Sequence, residues 1–229
     1  MIFTSNANRP FHLGPFPLER LPRDPALAAQ EHAGARPVRN GANPAPPESK
    51  YQRAAETYLN LFRQFRHGEP ARLRAPVPVS LDLRSRDING SGYFLDASQV
   101  GICVLGESSW LAGVAPPPHT HGIVVIVEHS HVPEADNPAR GWVQDAVVAT
   151  ATMRAMEIAV CLAAHIRHMG FSASAHDRVV GEVGLDRLLV LCGLGVRAGE
   201  HVRNPYLDQA FAVAAVTTDY ELQPDLPLA

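Results

Sequence analysis

A chain of 229 residues with 46% hydrophobic and 19% charged residues has a globular composition, and it can bury a sizeable core without disulfides or structural metals. The formal net charge of −3 gives no basic footprint, so we expect no nucleic-acid partner. Cys103, Cys161 and Cys192 lie singly in apolar runs, which favours buried thiols and a reducing, cytoplasmic compartment. An iron–sulfur cluster needs about four organised thiolates, so we expect none in this chain.

Residues 1–48 are predicted to form an extended, proline-rich arm, because each proline fixes φ and removes a backbone donor. Four apolar side chains favour docking of its first part: Phe11, Leu13, Phe16 and Leu18. The part around residues 30–48 is expected to be mobile. Residues 49–229 are expected to form one domain, and we see no secretory signal.

The first helix is predicted from about residue 50 to residue 66, because Ser49 and Gln52 have the spacing of a capping box. A single apolar stripe is predicted along it, from Tyr58, Leu59, Phe62 and Phe65.

The next segment is predicted to contain a short strand over Val77–Leu83 and a turn at Asn89-Gly90. A helical turn is expected to begin at Tyr93 and extend to Ala97. A second strand is predicted over Val100–Leu105.

Gly122–Val127 is apolar on both faces and predicts a central strand that is covered on both sides. A helix over about 142–168 is apolar nearly all round, which is typical of an interior helix. Arg154 and Glu157 near its middle argue against a membrane span and for a soluble protein. A short helix over Leu185–Cys192 and a last strand over Phe211–Thr217 follow. This mix of elements predicts an α/β fold of the α+β type, with a central mixed sheet and helices on its faces.

His119 and His121 alternate, and alternate strand residues share a face, so this pair with a distant carboxylate is a candidate zinc site. His129 and His131 form a second pair, but ten strand positions separate the outer histidines by about 30 Å. The alternative interpretation, which the sequence favours, is that these are solvated histidines at strand ends.

Gly193-Leu194-Gly195 with Gly199 could let the backbone approach a phosphate or a corrinoid side chain. The spacing is not that of a dinucleotide-binding loop. The alternative is a helix C-cap with Gly193 or Gly195 in left-handed geometry.

Four stretches, in this order, resemble the reductive dehalogenases of the non-exported, cobalamin-dependent type: residues 9–19; 93–97 with 100–102; 163–173; and 192–195 followed by 217–222 and Asp225. The same stretches are similar to the wider set that contains epoxyqueuosine reductase and flavin nitroreductases. The resemblance implies a nitroreductase-like, corrinoid-binding fold, cobalamin as cofactor and reductive removal of halide from organohalides.

The resemblance also implies site residues. Tyr93 would be the proton donor, with core packing as the alternative, and Gly193, Gly195, Arg197 and Gly199 would contact the cofactor. The sequence departs from the family because it lacks cluster cysteines and has another sequence after Gly195. It also has no lysine near Tyr93, since Lys50 is the only lysine in the chain.

Three hypotheses follow for the function. In the first, the chain is a non-catalytic copy of the family's domain that docks on a catalytic half carrying cobalamin and clusters, or on a second copy of itself. In the second, it is a free-standing corrinoid or flavin binding protein or a small reductase. In the third, it is a scaffold unrelated to redox chemistry.

Overall fold

The computed structural model describes residues 9–40, 47 and 49–229, and a four-stranded sheet lies at its centre. The strands of this sheet are β1 (Gln99–Val104), β2 (His121–Glu128), β3 (Ala173–His176) and β6 (Phe211–Thr218). Their order in the sheet is β1-β2-β6-β3. The predicted α+β class is confirmed. The prediction of mixed strand directions is wrong, because every neighbouring pair in this sheet is antiparallel. An antiparallel sheet that is covered on both faces gives the same two-sided apolar strand as a parallel one.

The strand predicted as central is central. Val124 and Ile126 face one hydrophobic cluster and Ile123 and Val125 face the other, and all four side chains are 0% exposed. Alternate residues of β2 therefore join two cores, one on each side of the sheet.

The first core lies under α5 (Val147–His168), whose buried residues include Ala155, Met156, Leu162 and Ile166. The helix is shorter than predicted, since α4 (Arg140–Val143) and a 3-10 turn precede it. Among the described residues, the continuous helical run 140–168 is long and apolar enough to cross a membrane by length and composition. Its packing against the sheet accounts for that apolarity.

α2 (Lys50–Gln64) begins as predicted, with the Ser49 hydroxyl accepting a hydrogen bond from the Gln52 backbone N–H at 3.0 Å. The prediction of a single apolar stripe is wrong. Leu59 is 5% exposed and faces α5 with Phe62 beside it, whereas Tyr58 and Phe65 are 57% and 56% exposed. The helix has two apolar faces, one inward and one outward.

α3 (Leu81–Phe94) occupies the segment for which a strand, a turn and a new helix start were predicted, and all three predictions are wrong. Ser80 caps the helix by accepting a hydrogen bond from the Leu83 N–H. Gly92 is tolerated in the last turn because a Cβ there would lie 2.7 Å from a methyl of Val100. The close approach of α3 to β1 therefore requires glycine inside the helix, in a segment for which the sequence predicted a turn and a new helix start.

The second core lies under α6 (Leu185–Leu191), with Leu18 of the arm packed into it. The arm also contains α1 (Ala26–Ala33), directly after Pro25. Arg36 and Asn40 tie the following residues down by donating to the carbonyl oxygens of Leu111 and Val183. The expected mobility is thus wrong for residues 30–40, while 41–46 and 48 lie outside the described residues. The predicted boundary at residue 48 stays a prediction.

Candidate functional site

The glycine-rich loop predicted to contact a cofactor follows α6. Gly193 has φ 65° and ends the helix, so the C-cap interpretation is confirmed there. Gly199 also has φ 65° and forms the turn between β4 (Val196–Ala198) and β5 (His201–Arg203). Gly195 packs on this hairpin, because a Cβ on it would lie 2.4 Å from Val202.

The arm's own side chain occupies the space beside Gly193. A Cβ at Gly193 would lie 1.8 Å from an Nη1 atom of Arg23. The Arg23 guanidinium donates to the carbonyl oxygens of Leu18, Gly193 and Leu226, the last at 2.6 Å. Backbone that a ligand would have to approach is therefore already in contact with a guanidinium that makes three hydrogen bonds to it and its neighbours.

Arg197 is engaged in a similar way. Its guanidinium binds the carboxylate of Glu31 on α1, with Nη2 and Oε2 separated by 2.6 Å, and Arg187 binds the same carboxylate. Burial raises the pKa of Glu31, but the hydrogen bonds and charges of Arg197 and Arg187 outweigh burial and hold that pKa below its ordinary value. Together with the filled space at Gly193, this leaves no cradle at the loop that fits a corrinoid.

Tyr93 lies apart from that loop backbone, at the end of α3 and under the arm. Its hydroxyl oxygen accepts a hydrogen bond from the Val100 N–H at 3.3 Å, and its ring fills the space beside Gly14. Burial raises the pKa of Tyr93 to about 12. Lys50, the only lysine in the sequence, is the first residue of α2, and its charge does not contribute to the pKa of Tyr93. The phenol is held protonated, and no cation lowers its pKa enough for ready proton donation at neutral pH.

A cavity of about 310 Å³ separates Tyr93 from the end of the chain, lined also by Asp225, Cys192, Asn89 and Arg23. Drug-sized ligands occupy roughly 300–1,000 Å³, and a corrinoid is larger than these. This cavity therefore does not fit cobalamin either.

Asp225 is the most perturbed carboxyl at this cavity. Its Oδ2 accepts a hydrogen bond from the Ile102 N–H at 2.8 Å, which ties the C-terminal segment to β1. Burial raises its pKa from 3.8 to about 6, against the opposing effects of that hydrogen bond and of Arg23. The raised pKa means that the folded chain favours the neutral carboxyl.

Asp225→Asn is expected to raise the free energy of unfolding at pH 7 by about 1–3 kcal/mol. The stability that the protonated carboxyl provides is fully present below pH 3.8 and is lost as pH rises through about 6. The variant should therefore match the wild type at low pH and exceed it above pH 6, as urea titrations across this range can measure. Asp136→Asn on the exposed surface is the matched control, and equal curves for Asp225→Asn and wild type at every pH would contradict the expectation.

The histidine pairs do not meet on one ion. His119 and His121 are 7% and 9% exposed rather than solvated, so the interpretation as solvated strand ends is wrong for this pair. Both His119 ring nitrogens are used, on the hydroxyls of Thr217 and Ser172 at 2.8 Å. Within the described part of the chain, no group of three or more metal-ligating side chains converges.

A buried polar chain was missed from the sequence. His176 is 0% exposed, its Nε2 contacts the Thr217 hydroxyl at 2.9 Å, and that same hydroxyl contacts His119. Burial, with a smaller contribution from nearby basic groups, lowers the pKa of His176 to about 3. Thr217 on β6 stood in the sequence as an ordinary strand residue. The pairing of β6 with β3 brings His176 to it, and the pairing of β6 with β2, which begins two residues after His119, brings His119.

The structure defines an α+β domain with a four-stranded antiparallel sheet, and solved structures show which proteins it is similar to. The catabolic reductive dehalogenase NpRdhA matches 100% of this chain with 36% identity and a TM-score of 0.85. A reductive dehalogenase whose structure suggests a mechanism for B12-dependent dehalogenation matches 100% of it with 37% identity and a TM-score of 0.86. NpRdhA in complex with 3-bromo-4-hydroxybenzoic acid matches with 36% identity and a TM-score of 0.84.

The chain spans 32% of the length of each of these proteins, so it resembles one domain of a reductive dehalogenase. The resemblance predicted from the sequence is confirmed at this level. No protein-family model and no curated protein matches the chain. The wider relation to nitroreductases stays a prediction.

Proposed function

We propose that this chain is a non-catalytic domain of reductive-dehalogenase type that docks on a catalytic half carrying cobalamin and iron–sulfur clusters. Its own contribution is a folded surface and not a reaction. The proposal is supported by the match of this chain to 32% of the length of a reductive dehalogenase whose structure suggests a mechanism for B12-dependent dehalogenation. It is supported also by the loop predicted to contact a cofactor, where Arg23 fills the space beside Gly193 and Arg197 is paired with Glu31.

The observation that carries the docking role is the outward face of α2. Its members share solvent exposure and a spacing of three and four residues: Tyr51, Ala54, Tyr58, Leu61 and Phe65. The four large side chains are between 44% and 57% exposed. This alternation of three and four is the spacing with which one helix packs against another. We call these five residues the outer stripe.

The charges beside the outer stripe favour a partner over a second copy. Lys50 and Arg53 have no ion-pair partner in the described ranges, so an acidic surface would complement them. Glu56 is the only acidic residue on α2, so a second copy of the helix offers little negative charge in return. The catalytic half is therefore the occupant we propose, and homo-oligomerisation is the alternative.

Purified alone, the chain is expected to show no saturable heat when titrated with hydroxocobalamin at micromolar concentrations, which correspond to about −8 kcal/mol. The reason is that neither the Gly193 loop nor the cavity at Tyr93 has room for a corrinoid. Iron and sulfide analysis should likewise give no stoichiometric cluster, since the sequence has three cysteines where a cluster needs about four thiolates, and two of the three are buried. Submicromolar binding of cobalamin or of a flavin would overturn the non-catalytic role and favour a free-standing binding protein.

A further inference from the structure

A cavity of about 600 Å³ lies on the opposite side of α2 from the outer stripe, between that helix, the start of α5 and the first residues of β6. Its apolar lining includes Leu59, Ala149, Phe211 and Val213. Neither Tyr93 nor the Gly193 loop contributes to it. The volume falls in the range of about 300–1,000 Å³ that suits a small organic ligand.

One buried polar atom at this cavity makes no hydrogen bond within the described part of the fold. His129 is among the lining residues, and its Nε2 has no hydrogen-bond partner among residues 9–40, 47 and 49–229. Burial lowers the pKa of His129, so the ring is neutral at pH 7 and one of its nitrogens is an acceptor. Buried polar groups nearly always find a partner, and a bound molecule with an N–H or O–H would supply one.

The charges at the cavity are unbalanced. The two lining arginines are already paired, with the Nε of Arg63 at 2.7 Å from Asp177 and Nη2 of Arg178 at 2.7 Å from Asp186. Glu56 and Asp145 also line the cavity, and the described part of the chain gives neither of them an ion-pair partner. The charge left for a ligand to meet is therefore negative.

We propose that this cavity binds a small apolar molecule that carries a protonated amine. The apolar part packs on the lining of Leu59, Ala149 and Ala212, and the ammonium group lies near Glu56 and Asp145. Carboxylates that have no ion-pair partner favour a hydrogen-bonding cation over a neutral or anionic group of the same shape. The site is independent of docking on a catalytic half and of cobalamin, so either proposal can fail without the other.

The test is a set of calorimetric and NMR titrations of the full chain with 2-phenylethylamine, 2-phenylethanol and phenylacetate, which share a ring and differ in charge. The amine is expected to bind at least tenfold more tightly than the other two. The double variant Glu56→Gln/Asp145→Asn should weaken amine binding at least tenfold and remove the discrimination. The double variant Glu69→Gln/Glu200→Gln changes the net charge equally at exposed positions away from the cavity and should bind like the wild type.

Two further variants locate the site. His129→Phe removes the ring acceptor and should weaken amine binding severalfold, and Ala149→Phe fills the cavity and should abolish it. Circular dichroism and thermal melting show whether each variant is folded, and the carboxylate variants carry the test if Ala149→Phe is not. Equal affinity for the three probes, preference for phenylacetate, or no amine binding at millimolar concentration would each overturn the proposal.

Discussion

Met156→Asp is expected to lower the free energy of unfolding by several kcal/mol, which is a large part of the stability of a domain. Met156 is 0% exposed, on the face of α5 that packs against the sheet. An unpaired buried charge costs on the order of 3–5 kcal/mol or more, and the whole stability of a domain is about 5–15 kcal/mol. Urea unfolding followed by circular dichroism measures the effect.

Val148→Asp is the matched control, since it places the same charge on the same helix at a side chain that is 61% exposed. A carboxylate in the first turn also interacts favourably with the helix dipole. This variant should change the free energy of unfolding by less than about 1 kcal/mol. If both substitutions had the same effect, the packing of α5 on the sheet would not be what stabilises the fold.

The elements predicted correctly are those in which periodicity and burial point the same way. β2 is apolar on both faces and central, and α5 is apolar nearly all round and buried. In each case a local pattern is sufficient, because the chemistry of the segment and its place in the core are linked directly.

The elements predicted wrongly depend on partners distant in sequence. Asn89-Gly90 was predicted as a turn, yet it lies inside α3, which also contains Gly92 because Val100 of β1 needs the space beside that residue. One apolar stripe was predicted for α2, where the structure has an inward and an outward apolar face. The sequence does not show which apolar residues a core will cover. Strand direction in the sheet likewise follows from how the chain returns and not from strand composition.

The candidate site shows the same limit. A helix C-cap with Gly193 or Gly195 in left-handed geometry was predicted from sequence as an alternative, and Gly193 has positive φ. That Arg23 fills the space beside Gly193, and that Glu31 binds Arg197 across 166 residues, could not be predicted because these contacts require the arm to be docked. The space that is left for a ligand at this loop depends on those contacts more than on the loop's own sequence.

The double variant Tyr58→Asp/Leu61→Asp is expected to abolish the association of this chain with a catalytic half. These residues lie at the middle of the outer stripe, at 57% and 44% exposure, where burial in a complex would be most complete. Central aromatic and aliphatic anchors carry much of an interface's energy, about 2 kcal/mol or more each, so the pair should lower affinity by at least a hundredfold. Because both side chains already face solvent, the free energy of unfolding of the isolated chain should change little.

The association is measured by co-purification with a tagged reductive-dehalogenase polypeptide that lacks the third matched by this chain. Sedimentation velocity of the chain alone is the second measurement, since an exposed apolar stripe without its partner should produce weak, concentration-dependent self-association. The wild type should co-purify and self-associate, and the double variant should do neither. Val38→Asp, at an exposed valine of the arm, is the matched control and should behave as the wild type. A wild-type chain that stays strictly monomeric and does not co-purify would remove the outer stripe as the docking surface, because its apolar side chains would then have no partner of any kind.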